Sequence, residues 1–349
     1  MAPENRTIPV PGLHLRRAAG RLLLAGLLGL APLLATAEGL LQRTELRQFI
    51  DEMVGKHGFN SADLAQLFGQ VQTHQTIIDA ITRPAEAKPW HAYRKIFLTE
   101  ARIAGGARFW DEHRELLAAA EERFGVPPEV IVAIIGVETN YGRNAGSYPV
   151  IDALTTLALD YPRRGDFFRS ELEQFLLLTR DEGFDPLQPV GSYAGAMGLG
   201  QFIPSSYRRY AIDFDGDGQR DLFGNRADAI GSVANYFSAH GWRRGEAVLA
   251  PARIEGDGYR ALVELGYKPQ RRLERFPGYG VAVPDGLDGE RLAALIELET
   301  EAGPEHWIVF DNFYVITRYN HSPLYAMAVH QLSQAVVERR ANGDLDGRG

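Results

Sequence analysis

Val126-Pro127-Pro128-Glu129-Val130-Ile131-Val132-Ala133-Ile134-Ile135-Gly136-Val137-Glu138-Thr139-Asn140-Tyr141-Gly142 opens with prolines suited to a first helical turn and then turns apolar all round. A helix without a polar face belongs inside a core, so the rest of the chain must pack around it. Glu138 stands at its far end, four residues after Ile134 and seven after Ile131, on a stripe of branched apolar side chains. Loss of water there disfavours the charged carboxylate, and the raised pKa that follows suits a general acid working near neutral pH. A helix-end glutamate also serves as a cap or pairs with an arginine, here Arg143, and the residues alone leave both readings open.

On either side of this segment the pattern is mostly helical. From Glu45, the residues Leu46, Phe49, Ile50, Met53 and Val54 recur at spacings of three and four before Gly58, and Leu64, Leu67, Phe68 and Val71 continue the pattern. Further helices are predicted over 107–124, 128–144, 166–182, 226–240 and 323–340. Residues 185–210 are rich in Gly, Pro and Ser, and a long irregular stretch inside a domain is more often functional than idle. Leu295–Glu299 and 306–317 read as strands around Glu301-Ala302-Gly303-Pro304, within a small β subdomain at about 250–320. The predicted class is α+β, mainly α, with a polar, flexible tail over 342–349.

Composition bounds the function. The chain has 349 residues, 45% hydrophobic and 23% charged, which describes a soluble globular protein of one large or two ordinary domains. A formal net charge of −8 argues against nucleic acid as a partner. The absence of cysteine excludes disulfides, thiolate metal sites, cysteine nucleophiles and lipid attachment through an N-terminal cysteine. Arg16, Arg17 and Arg21 precede the apolar run Leu22–Leu34, and Ala35-Thr36-Ala37 follows, so residues 1–37 read as a secretory signal peptide. The run is broken by Pro32 and falls short of the ~20 residues that a spanning helix needs. The mature domain is therefore expected over 38–341, in the periplasm of a Gram-negative type cell and without a membrane anchor.

Two loops carry chemistry. The first runs from Ser192 to Ser206, where Gly195, Gly198 and Gly200 allow close backbone approach to a ligand and Gln201 can both donate and accept toward a sugar hydroxyl or N-acetyl group. The second, Asp213-Phe214-Asp215-Gly216-Asp217-Gly218-Gln219-Arg220-Asp221, matches the start of an EF-hand calcium loop, with Asp213, Asp215, Asp217 and the Gln219 carbonyl as oxygen ligands. The position normally held by a bidentate Glu is Gly224, and Asp228 is the expected replacement, in an enlarged loop. Three aspartates this close repel one another unless a cation neutralises them, so a structural Ca2+ is expected and no organic cofactor.

Four segments together resemble the lytic murein transglycosylase B family, glycoside hydrolase family 103. They are Val137–Gly142, Ser192–Ser206, the acidic loop with Asp228–Tyr236, and Ile316-Thr317-Arg318-Tyr319-Asn320-His321-Ser322, in family order over about 41–340. The resemblance implies a lysozyme-like core with a helical subdomain and a β subdomain around a glycan groove. It implies cleavage of the β-1,4 bond between N-acetylmuramic acid (MurNAc) and N-acetylglucosamine (GlcNAc) in peptidoglycan, without water, to leave a 1,6-anhydro end. By motif, Glu138 is the acid/base, Ser192, Gln201 and Asn320 line the groove, and Tyr93, Tyr319 and Tyr325 contact substrate. The implied partner is the peptidoglycan glycan strand, with other cell-wall enzymes beside it.

Ordinary glycosidases use two carboxylates, but a C6 hydroxyl that attacks its own anomeric carbon dispenses with the second. Asp152 and Asp160 remain open as a second acid. A hydrolysing muramidase on the same core and a non-catalytic peptidoglycan-binding protein are the alternatives. The chain departs from the family in lacking the lipid-bearing cysteine of its membrane-held members, in having Asp215 where a serine is expected, and in a loop one residue longer.

Overall fold

The apolar segment folds as the helix Pro128–Thr139, and every residue from Val130 to Val137 is buried. In this computed structural model, residues 39–83 and 88–346 are described; the expected signal peptide lies outside the described residues. The helices Glu100–Glu112, Arg114–Phe124, Arg226–Ala239 and Pro323–Asp346 pack around the central one. Each fully buried aliphatic side chain contributes about 1.5–3 kcal/mol by leaving water, which makes this helix the axis of the core. Close approach is possible because Gly136 and Gly106 form a notch for the ring of Tyr141. A Cβ on Gly136 would sit 2.5 Å from the Tyr141 hydroxyl.

Two further helices, Val150–Asp160 and Gly165–Glu182, pack on each other beside the core. A short antiparallel pair, β1 (Tyr148–Pro149) and β2 (Val190–Gly191), ties the segment after the central helix to the glycine-rich loop. Strands β3 (Leu249–Ile254), β4 (Arg271–Arg272), β5 (Val281–Ala282), β6 (Leu292–Thr300) and β7 (Gly303–Val309) form an antiparallel sheet in the order β4-β6-β7-β3-β5. Alternation along β6 divides its residues between two cores. Ala294, Ile296 and Leu298 join the main one, whereas Ala293 and Leu295 join a smaller one with Leu273, Phe276, Ile308 and Phe310.

The fold corrects several predicted boundaries. The segment 306–317 is not one strand: β7 ends at Val309 and Asp311–Tyr319 is a helix. Phe313, Val315 and Thr317 mimic a strand's alternation, but Phe313 and Ile316 also have helical spacing, and a run this short fits both periods. The choice falls to packing: Asn312, fully buried, accepts the Arg243 amide at 2.8 Å and donates to the carbonyls of Arg243 and Glu246. The predicted helix 107–124 is two helices meeting at His113. The central helix stops at Thr139 rather than 144, because Asn140, Tyr141 and Gly142 all take left-handed backbone angles. The last helix continues to Asp346, into the segment predicted as a tail.

Candidate active site

Glu138 occupies the last turn of the central helix, where the chain reverses through three consecutive left-handed residues. Such angles are strained for Asn140 (φ 49°) and Tyr141 (φ 61°) and persist only where the surroundings impose them. Thr139, fully buried, imposes them here. Its hydroxyl lies 3.1 Å from the Ile135 carbonyl and 3.0 Å from the Leu199 carbonyl, and accepts the Gly142 amide at 3.0 Å. The side chain of Glu138 is thereby presented to a cavity of about 640 Å³ while its own helix stays in the core.

Among the described residues the carboxyl group has one side-chain partner: the Tyr325 hydroxyl donates to Oε1 at 2.5 Å. Burial pushes its pKa up to about 7, against the opposing effect of that hydrogen bond. Arg143 does not pair with it. Tyr325 itself is buried, and its pKa is raised well above the usual phenol value, first by burial and then by the neighbouring carboxylate. Tyr319 is raised likewise; its hydroxyl donates to the Gly200 carbonyl at 2.6 Å, and its ring packs edge-on against Phe202 and Tyr236.

Gln201, Tyr319 and Asn320 line the cavity with Glu138. Gln201 takes a left-handed angle of 51°, and its amide nitrogen donates to the Ala145 and Gly198 carbonyls at 3.1 and 3.0 Å. Its donors are thus used by the fold, and the side-chain oxygen is left to accept. Ser192 is not among the lining residues; its hydroxyl accepts the amides of Ala194 and Ala196 and shapes the turn that brings Ala194 to the wall. Tyr93 is buried between Trp90 and Phe97, near enough to act electrostatically on Tyr325.

The two other carboxylates are engaged elsewhere. Asp152 accepts the Gln72 amide at 3.1 Å and bonds His74 at 3.0 Å, and Asp160 pairs with Arg43 at 2.6 Å. Among the residues lining the cavity Glu138 is the one carboxylate. Residues to which the sequence analysis gave no role also line it: Tyr236 and Arg318, inside the quoted segments, and Arg164, Phe167, Arg209 and His240, outside them. Tyr236 and His240, four apart on one helix, stack at 4.1 Å.

The acidic loop gathers oxygen atoms of Asp213, Asp215 and Asp228 within 4.8 Å of one another. Backbone amides of Gly218, Gly216 and Asp217 point at Asp213 and hold its pKa down, whereas burial raises that of Asp228. Asp228 clamps the loop, accepting the Phe214 and Asp221 amides at 2.8 Å each. Asp217 stands outside the three-residue group and accepts the Gln219 amide, and the Gln219 side chain lines a separate crevice. Among the described residues no Lys or Arg pairs with these aspartates, so hard oxygen donors with unneutralised charge fit a cation such as calcium.

Loop and acid are connected. Asp228 holds the Asp221 amide, the Leu222 carbonyl accepts the Leu199 amide at 2.9 Å, and the Leu199 carbonyl faces Thr139, the residue after Glu138. Gly198 permits this contact: at its angle of 69° a Cβ would lie 2.4 Å from the Leu222 carbonyl oxygen.

The chain is similar to known proteins over most of its length. The membrane-bound lytic murein transglycosylase B of Escherichia coli is 44% identical over 304 residues, which are 84% of this chain and 83% of that protein. The crystal structure of a soluble lytic transglycosylase from Pseudomonas aeruginosa superposes with a TM-score of 0.81 at 49% identity, covering 85% of this chain and 99% of that one. An Escherichia coli lytic transglycosylase solved in complex with calcium matches with a TM-score of 0.78 at 43% identity, over 86% and 95% of the two chains. The family model described as the transglycosylase SLT domain matches residues 41–334. The chain accordingly belongs to the lytic transglycosylases that carry this domain.

Proposed function

We propose that this lytic transglycosylase cleaves peptidoglycan with Glu138 as its single acid/base. The observation that carries the reading is a lone carboxyl group at the cavity, whose pKa burial raises to about 7, so that a proton is available near neutral pH. Protonated Glu138 donates to the glycosidic oxygen as the bond from C1 of MurNAc breaks. The carboxylate left behind then takes the proton of the C6 hydroxyl as that oxygen bonds to C1, giving a 1,6-anhydro end with no water consumed. Tyr325 orients the carboxyl group, Tyr319 and Asn320 border the reacting sugars, and Gln201 accepts a hydrogen bond from a sugar hydroxyl or N–H. Ser192 acts through the turn it shapes, and Tyr93 supports Tyr325.

The acidic loop is proposed to bind a structural calcium ion through Asp213, Asp215 and Asp228, with Asp217 and the Gln219 carbonyl completing the set. The ion would neutralise the loop's charge and rigidify it. The composition of residues 16–37 supports export to the periplasm, and among the described residues no helix is long and apolar enough to cross a membrane.

Digestion of purified peptidoglycan sacculi beside the Glu138→Gln variant, with mass spectrometry of the products, tests the reading. Anhydro products from the wild type and none from the variant are expected. Reducing-end products would make the protein a hydrolysing muramidase instead.

A further inference from the structure

Three carboxylates are buried among the described residues: Asp152, Glu171 and Asp228. Asp152 holds Gln72 and His74, and Asp228 clamps the acidic loop. Glu171, 4% exposed on the helix Gly165–Glu182, belongs to neither arrangement. Its partner is the second residue of the helix Pro204–Tyr210: the Ser205 hydroxyl donates to Oε1 at 2.7 Å and the Ser205 amide to Oε2 at 2.9 Å. Ser205 lines the cavity that holds Glu138, whereas Glu171 stands behind it and is not among the lining residues.

Docking these two helices does not require a buried carboxylate. Arg208 already ties them, donating to Gln174 at 2.5 Å and to Asp181 at 3.1 Å. A buried carboxylate bonded to neutral donors is costly beside a neutral isostere. Burial raises the pKa of Glu171, and the two bonds from Ser205 and the charge of Arg164 oppose that shift. A glutamine here would fill the same space and make two bonds, with one difference. The Ser205 amide can only donate, so it would claim the glutamine oxygen, and the glutamine NH2 would then face the hydroxyl and turn its proton away. An ionised carboxylate accepts from both groups, which fixes the hydroxyl proton toward Glu171 and leaves the Ser205 oxygen to accept. Ser206 lines the same cavity with no side-chain bond among the described residues, so its hydroxyl turns either way. Gln201, lining it too, has its donors engaged and its oxygen left to accept.

We infer that Glu171 is a positioning residue for the reaction: by engaging the Ser205 hydroxyl proton it makes Ser205 a fixed acceptor on the cavity wall, matched to an O–H or amide N–H of the bound sugar. The inference rests on the reading of this cavity as the glycan site. With Gln201 the wall then presents two acceptors, and a sugar that turns an acceptor toward them is left with unpaired polar groups. The direction is set before substrate arrives, so binding need not order the hydroxyl.

The test measures binding of glycan strands to variants built on Glu138→Gln, where affinity does not depend on turnover, with the melting temperature recorded beside it. Glu171→Gln, which inverts the hydroxyl, and Ser205→Ala, which deletes it, should each weaken binding about tenfold. Combined, they should weaken it no further than either alone, because Glu171 acts through the Ser205 oxygen. A residue that merely braces the two helices would give losses that multiply. With Glu138 intact, the loss should appear in KM more than in kcat, because Thr139 and Tyr325, which hold the acid, lie on other helices than Glu171.

Unchanged binding in either single variant, or a combined loss of about a hundredfold, would overturn the role of Glu171. Should Glu171→Gln fail to fold, Ser205→Ala decides: a tenfold loss there supports the fixed acceptor, and undiminished affinity removes it. Strands that do not bind even the Glu138→Gln protein would refute the reading of the cavity as the glycan site, a result distinct from strands that bind it and every variant alike.

Discussion

Glu138 and Asp213 are the same functional group in opposite surroundings, and the surroundings suit them to different chemistry. At Glu138 an apolar helix strips away water and offers one phenol hydroxyl in return, so the neutral form persists up to a pKa of about 7. At Asp213 the loop is exposed to solvent and turns three backbone amides toward the carboxylate, holding its pKa down and its charge on. A proton donor needs the first environment and a cation ligand the second. Asp228 lies between these extremes: buried like Glu138, yet bonded by two amides like Asp213.

The contrast breaks most visibly at the acid itself. Glu138→Gln is expected to lower turnover by about 10²–10⁴-fold while sparing glycan binding, measured by anhydro-product release and by strand affinity. Near-normal turnover would remove Glu138 from the mechanism. The same variant sharpens the argument about burial. A carboxyl group whose folded pKa exceeds its unfolded value binds more protons in the native state, so stability falls as pH rises from about 4.5 through 7. Glu138→Gln should therefore melt higher than the wild type at pH 8, and the gap should close at pH 4.

Tyr325→Phe removes the hydrogen bond that lowers the pKa of Glu138, so the alkaline limb of the activity profile should move to higher pH. A fall in kcat of about tenfold is expected with it, as the acid loses its orienting partner. A limb that stays in place would mean that burial alone sets the acid.

The link between the two sites is open to a smaller perturbation. Thr139→Val leaves the Leu199 carbonyl and the Gly142 amide without their partner, at a cost of about 1–3 kcal/mol in chemical denaturation, and Thr139→Ser should restore it. The smallest effect is expected at the loop. Calcium should raise the melting temperature of the wild type by a few degrees, and Asp213→Ala should abolish that rise; an undiminished rise would place the ion elsewhere.

Much of this organisation was legible in the sequence, and the reasons are physical. The central helix is apolar on every side, so its burial follows from its own residues, as does the placing of Glu138 at its end. The acidic loop was readable because glycine and aspartate at fixed offsets leave few alternatives to a cation-binding turn. Within 306–317 the part after Val309 was misread because the seven residues 311–317 are too few to distinguish a period of 2 from one of 3.6. Gln201 was readable as a site residue but not in its role, since which end of the amide is free depends on the carbonyls of Ala145 and Gly198.

From its sequence alone the chain determined a buried helix with a glutamate at its tip, a glycine-rich loop, an acidic loop and their order, because each depends on residues a few positions apart. Only the tertiary structure decided that Tyr325, 187 residues away, donates to Glu138, and that Asp152 and Asp160 are spent on other partners. It alone also brought Arg164, Arg209 and Arg318 to one wall. Those relations depend on how separate helices pack, and packing is set by the summed burial of the whole core rather than by any local pattern.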